Sequence, residues 1–169
     1  MARFIDPLYT NNFLDANIFD QVVGGQNEAV EGILRVYDEG AISILLPYSV
    51  QNELEDPNTP ELVRKASQNF NYSIEVRLTE REKEQYGRLL AEIVGDSEPK
   101  NIERDLFHVF EAAKYGGGHF VTLDKRVLKR GDSIAALLNI EVVTPAAFLE
   151  KVKTAKELKA EFARRKQKE

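Results

Sequence analysis

Five short apolar runs alternate with stretches of helical periodicity, and this alternation restricts the fold more than any other feature of the chain. Residues 42–46 (Ile-Ser-Ile-Leu-Leu) make an apolar run of strand length, the pattern of a strand covered on both faces. Residues 12–14, 119–123 and 140–143 form similar runs, while Ile74, Val76 and Leu78 alternate as in an edge or half-buried strand. Between them lie helices. Val30, Ile33, Leu34 and Tyr37 repeat at helical spacing behind an Asn27 cap and ahead of Gly40. Residues 47–54 suggest a short helix carrying Glu53. Thr59-Pro60-Glu61 starts another helix, with Thr59 as its cap, Pro60 at its first position, and Leu62, Ala66 and Phe70 inward. Thr79 and Glu82 make a capping box for a helix with Tyr86, Leu89, Leu90 and Ile93 inside. A loop over 95–99 precedes a helix bearing Ile102, Leu106, Val109, Phe110 and Ala113, which stops at residues 116–118. A short helix follows residue 124, and Thr144-Pro145 starts the last one. Strands alternating with helices imply parallel pairing through right-handed crossovers. The expected fold is an α/β three-layer α/β/α sandwich around a parallel sheet of about five strands.

At 169 residues the chain fits one domain. The expected division is residues 1–150 as the domain and 151–169 as a basic helical tail. That tail holds eight Lys or Arg against three Glu, leaving 15 basic against 25 acidic residues in the body. An acidic body repels nucleic acid unless cations screen it or a basic arm attracts phosphate. The tail reads equally as a solvated helix packing on its own domain. No apolar stretch is long enough to span a bilayer and no targeting segment is evident at the start, so the expectation is a cytoplasmic protein without membrane contact. The absence of cysteine excludes disulfides, thiolate catalysis and Cys-ligated zinc, and two histidines leave little for an imidazole-based metal site. Oxygen ligands remain.

Four acids lie beside segments that read as core, where a lone carboxylate is costly to desolvate. Asp15 and Asp124 each follow a strand-like run, which is where open α/β sheets place binding chemistry. Either also reads as a cap of the turn or helix that follows. Asp105 is in the first turn of its helix, where any acid gains from the dipole, yet its spacing from Ile102, Val109 and Ala112 sets it on the border of the buried face. Glu53 carries the weakest individual signal, with Glu55 and Asp56 as neighbours. Thr122 points to the same side of its strand as Asp124, so its hydroxyl can donate to a nearby carboxylate. Clustered carboxylates repel one another until a divalent ion such as Mg2+ or Mn2+ neutralises them. An ion held this way activates water against a phosphodiester. His108 follows Asp105 by one helical turn, but it and His119 read as packing or hydrogen-bonding residues outside the metal shell. The glycines at 116–118 follow a helix and precede a strand, the reverse of a phosphate-binding loop. A phospho-accepting or nucleotide-binding domain is disfavoured on the same ground.

Four ordered pieces, Leu14-Asp15-Ala16-Asn17, Val50-Gln51-Asn52-Glu53-Leu54, Asp105-Leu106-Phe107-His108 with Ala112, and Val121-Thr122-Leu123-Asp124, make the chain resemble the PIN-domain nucleases from about residue 12 to 149. The resemblance implies a metal-dependent endoribonuclease acting on single-stranded RNA, with Asp15, Glu53, Asp105 and Asp124 holding Mg2+ or Mn2+. Thr122 and Asn17 would be hydrogen-bonding partners behind the acids. Many small members of that family are toxins, which makes an antitoxin protein an expected partner beside the RNA. The alternative is a non-catalytic module with the same fold that binds RNA or a protein. The oligomeric state, a homodimer among the options, is left open by the sequence.

Overall fold

In the computed structural model, which describes residues 4–75, 77–94 and 102–168, β1 (Asn11–Leu14) is the middle strand of a five-stranded, wholly parallel sheet. To one side lie β2 (Ser43–Leu46) and β3 (Asn71–Tyr72), and to the other β4 (Gly117–Val121) and β5 (Glu141–Val143). The chain therefore builds outward from β1 through β2 to β3, then returns across the sheet to start β4 beside β1. That reversal opens a crevice at the carboxyl ends of β1 and β4.

Alternation along the two central strands builds the layers. Leu14 and Val121 face a core with Ile18 and Phe19 of α1 (Asn17–Gly24), Val30 and Ile33 of α2 (Glu28–Asp38), and Phe148 and Val152 of α9 (Pro145–Lys166). Their neighbours Phe13 and Phe120 face the opposite core. It contains Leu89 and Ile93 of α5 (Glu80–Val94), Leu106 and Val109 of α6 (Glu103–Lys114), Val127 of α7 (Lys125–Leu128), and Ile134 of α8 (Gly131–Leu138). Period-two strands between helical stripes give the three layers. Between β2 and β3, a 3-10 turn (Tyr48–Val50) leads into α3 (Gln51–Leu54), and α4 (Glu61–Ser67) follows.

Local signals act as their chemistry dictates at several points. The Asn27 side chain accepts from the Val30 amide at 3.1 Å, and Thr79 and Glu82 form a reciprocal capping box at 3.3 and 2.9 Å. Other expectations are corrected. The third strand lies at Asn71–Tyr72; Ile74 is 77% exposed, Leu78 has no strand assignment, and Val76 is outside the described residues, as is the loop expected at 95–99. Thr59 does not cap α4. Its hydroxyl donates instead to the Glu53 carbonyl at 2.6 Å, and Val63 rather than Leu62 (63% exposed) faces the core. The glycine stretch divides: Gly116, at φ 68°, ends α6, whereas Gly117 and Gly118 already belong to β4. A Cβ on Gly117 would lie 2.6 Å from the Ala112 carbonyl and 2.9 Å from the Phe13 ring, so α6 and β1 close on the strand only because no side chain is there.

α9 runs unbroken through residue 150, and Val152 and Ala155 are buried, so the first turns of the basic tail are part of the fold. Among the described residues, no helix is long and apolar enough to cross a membrane.

Candidate metal centre

Each segment that delivers an acid does so at the end of an element fixed by packing. Buried Leu14 ends β1, and Asp15, 4% exposed, follows at the crevice. Its Oδ1 accepts from the Ala16 amide at 2.8 Å, and its Oδ2 from the Thr122 hydroxyl at 2.7 Å and Asn17 Nδ2 at 3.3 Å. Asn17 also donates to Thr122 Oγ1 at 3.2 Å, and its Oδ1 accepts from the Leu123 amide at 3.2 Å. The ends of β1 and β4 are thus tied by one polar knot built from Asp15, Asn17 and Thr122.

The next two groups stand on α6. Asp105 is in its first turn, and His108, 1% exposed, is one turn further. Opposite them, α3 presents Glu53, whose Oε1 lies 2.9 Å from His108 Nε2 and 2.9 Å from Arg104 Nε. Carboxylate oxygens of Glu53 and Asp105 and a ring nitrogen of His108 all lie within 4.8 Å of one another. Asp124 caps α7, accepting from the Arg126 amide at 2.8 Å, so its capping role and its place in the cluster coexist. Arg126 bridges two of the acids, with Nη2 3.0 Å from Asp105 Oδ2 and 2.6 Å from Asp124 Oδ2.

Electrostatics follow from this crowding. Burial, then the charges of Asp15 and Asp124, push the Asp105 carboxyl up to about 6, against the pull of His108 and Arg126. Burial also raises Asp15, despite the Thr122 hydrogen bond. Glu53 is lowered, chiefly by its hydrogen bond with His108, and Asp124 by its hydrogen bonds from Arg126. Asp105 is raised even with Arg126 3.0 Å away, and the hard oxygen donors of the site with one imidazole fit a six-coordinate divalent cation.

Of the residues singled out in the sequence, Glu53 and Asp105 converge directly. Asp15 stands beside them, held by Thr122 and Asn17, and Asp124 joins through Arg126. His108, set outside the metal shell on sequence grounds, faces into the cluster; its spacing of three from Asp105 was the available signal. His119 is a packing residue. Its Nδ1 meets Asn12 Oδ1 at 2.9 Å, its ring stands edge-on to Phe148, and burial draws it down to about 4. Beside Glu53 and His108 opens a cleft of about 890 Å³, lined also by Asn17, Asn52, Arg104 and Phe107. Compared with known proteins, the chain matches no family model and shows no significant match to a curated protein.

Proposed function

We propose that the protein is a divalent-metal-dependent endoribonuclease that hydrolyses phosphodiester bonds of single-stranded RNA. The observation that carries this reading is the convergence of Glu53, Asp105 and His108 beside Asp15 and Asp124, at the crevice where the sheet order reverses. RNA as the substrate rests on the resemblance to PIN-domain nucleases, as does a toxin role with an antitoxin partner. Glu53, Asp105 and Asp15 would hold Mg2+ or Mn2+, which when bound supplies an activated water and charge stabilisation at phosphorus. The chain's own contribution is placement. Thr122 and Asn17 fix the Asp15 carboxylate, and the cleft lined by Arg104, Phe107 and Asn52 offers a cation, an aromatic face and an amide to an entering nucleotide. Arg126 now neutralises Asp105 and Asp124, a charge that a bound ion would supply in its place.

The test is cleavage of a fluorescent single-stranded RNA with Mn2+, with Mg2+ and with EDTA. Asp15→Asn and Asp105→Asn should each lower the rate at least 100-fold with the circular dichroism spectrum unchanged; full activity in both variants sinks the reading.

One observation favours a non-catalytic module instead. Arg104 and Arg126 already pair with Glu53, Asp105 and Asp124, as a site without an ion would require. Calorimetry with Mn2+ separates the two, because the module takes up no ion.

A further inference from the structure

His108 is treated differently from the other buried histidine, and the difference lies in what stands behind the ring. On the far side from the acids, His108 Nδ1 lies 2.7 Å from Ser49 Oγ. Ser49 is held in turn by buried Glu111, which accepts from its backbone amide at 2.7 Å. The serine oxygen has lone pairs for an Nδ1–H, so an ion that takes the place of the Nε2 proton now donated to Glu53 would meet a ring whose other nitrogen already has its acceptor. Metal-bound imidazoles are oriented by such a hydrogen bond to the remote nitrogen, and here the hydroxyl that offers it is fixed by the hold of Glu111 on its own backbone amide. His119 differs: its Nδ1 meets the Asn12 amide oxygen, and its Nε2 is buried without a hydrogen bond and faces no acid of the cluster.

Distances on the acid side agree. Neighbouring ligands of an octahedral ion with bonds of about 2.1 Å stand about 3.0 Å apart, and opposite ones about 4.2 Å. Glu53 Oε1 and His108 Nε2 are separated by 2.9 Å, and the Asp105 oxygen completes a set within 4.8 Å. Small side-chain shifts bring all three onto one ion.

We propose that His108 is a direct metal ligand, oriented by Ser49 and Glu111, and that its nitrogen biases the site toward transition ions such as Mn2+ over Mg2+. Imidazole suits transition ions, whereas Mg2+ favours oxygen and water shells. The proposal rests on the metal-binding reading above, and its experiment separates the two. Three-pulse electron spin-echo spectroscopy of the wild-type protein with Mn2+ should show the 14N modulation of a coordinated imidazole. In His108→Gln that modulation should vanish, and the ratio of Mn2+ to Mg2+ affinity, measured by calorimetry, should fall about tenfold. Ser49→Ala, which keeps the ligand and loosens its orientation, should retain the modulation with weaker Mn2+ binding. Bound Mn2+ without 14N modulation in the wild type overturns the assignment of His108 and leaves the metal site standing. No Mn2+ binding at all overturns the metal site itself.

Discussion

Asp105 shows at one residue how the site trades stability for chemistry. Its carboxyl is raised to about 6 from an ordinary value of 3.8, so the folded chain holds that proton more tightly than the unfolded chain does. Stability from this group is complete below about pH 4 and is lost as pH rises through about 6. Replacing the carboxylate by an amide removes the penalty and with it the Arg126 contact, which at a half-exposed arginine is worth little. Asp105→Asn without metal should therefore be more stable than wild type by about 1 to 2 kcal/mol at pH 7.5, with the difference gone at pH 4. Urea unfolding in EDTA at the two pH values measures this, and a destabilised variant at pH 7.5 contradicts it. Mn2+ should reverse the order by stabilising only the wild type, since an ion bound to the native state alone adds to its stability.

The elements were legible where their signals were local and strong. The capping box at Thr79 and Glu82, the Asn27 cap and the apolar run of β2 all lie where the sequence puts them. Errors occurred where tertiary contacts overrode local pattern: β3 forms at residues 71–72 because β2 offers its edge there, while the alternation at Ile74 faces solvent. α1 and α8 were not among the helices expected from the sequence, and both start without a side-chain cap hydrogen bond. The acids at strand ends could be read from position, because a strand followed by Asp is visible in one dimension. The inward setting of His108 was signalled only by its spacing from Asp105, and the contact behind its ring was not signalled at all, since Ser49 is 59 residues away and meets His108 and Glu111 only once α6 packs on the 3-10 turn. Close approach of elements also explains Gly117. A methyl there meets the Ala112 carbonyl and the Phe13 ring, neither of which is the free end of a flexible chain. Gly117→Ala should cost about 2 kcal/mol or more through forced separation of α6, β1 and β4. Chemical denaturation checks it, and an unchanged midpoint would mean that the layers yield without cost.

At the scale of the whole molecule, charge is sorted along the strand direction. The acids occupy the carboxyl ends of β1 and β4, and α9 begins just past the carboxyl end of β5 and runs back along the sheet. By Lys159 the helix has reached Tyr9, which precedes β1, with the Lys159 ammonium 5.6 Å from the ring centroid. A rise of about 1.5 Å per residue puts the arginines at 164 and 165 about 30 Å along the helix from its start. The basic end of the tail is therefore at the pole opposite the acid cluster, where it is poorly placed to hold RNA against the cleft at Glu53 and His108. Its apolar residues Leu158 and Phe162 are exposed, so removing the final turns uncovers no core, whereas removing Val152 and Ala155 would. Deleting residues 160–169 should leave the melting temperature within about 2 °C and single-turnover cleavage of a short RNA within about twofold. For a long RNA that reaches both poles, affinity should fall, and the slope of its logarithm against salt should shrink by several units as four arginines and lysines in the described part of that segment are lost. A short RNA that loses affinity and salt dependence on the same deletion would instead put the tail at the site.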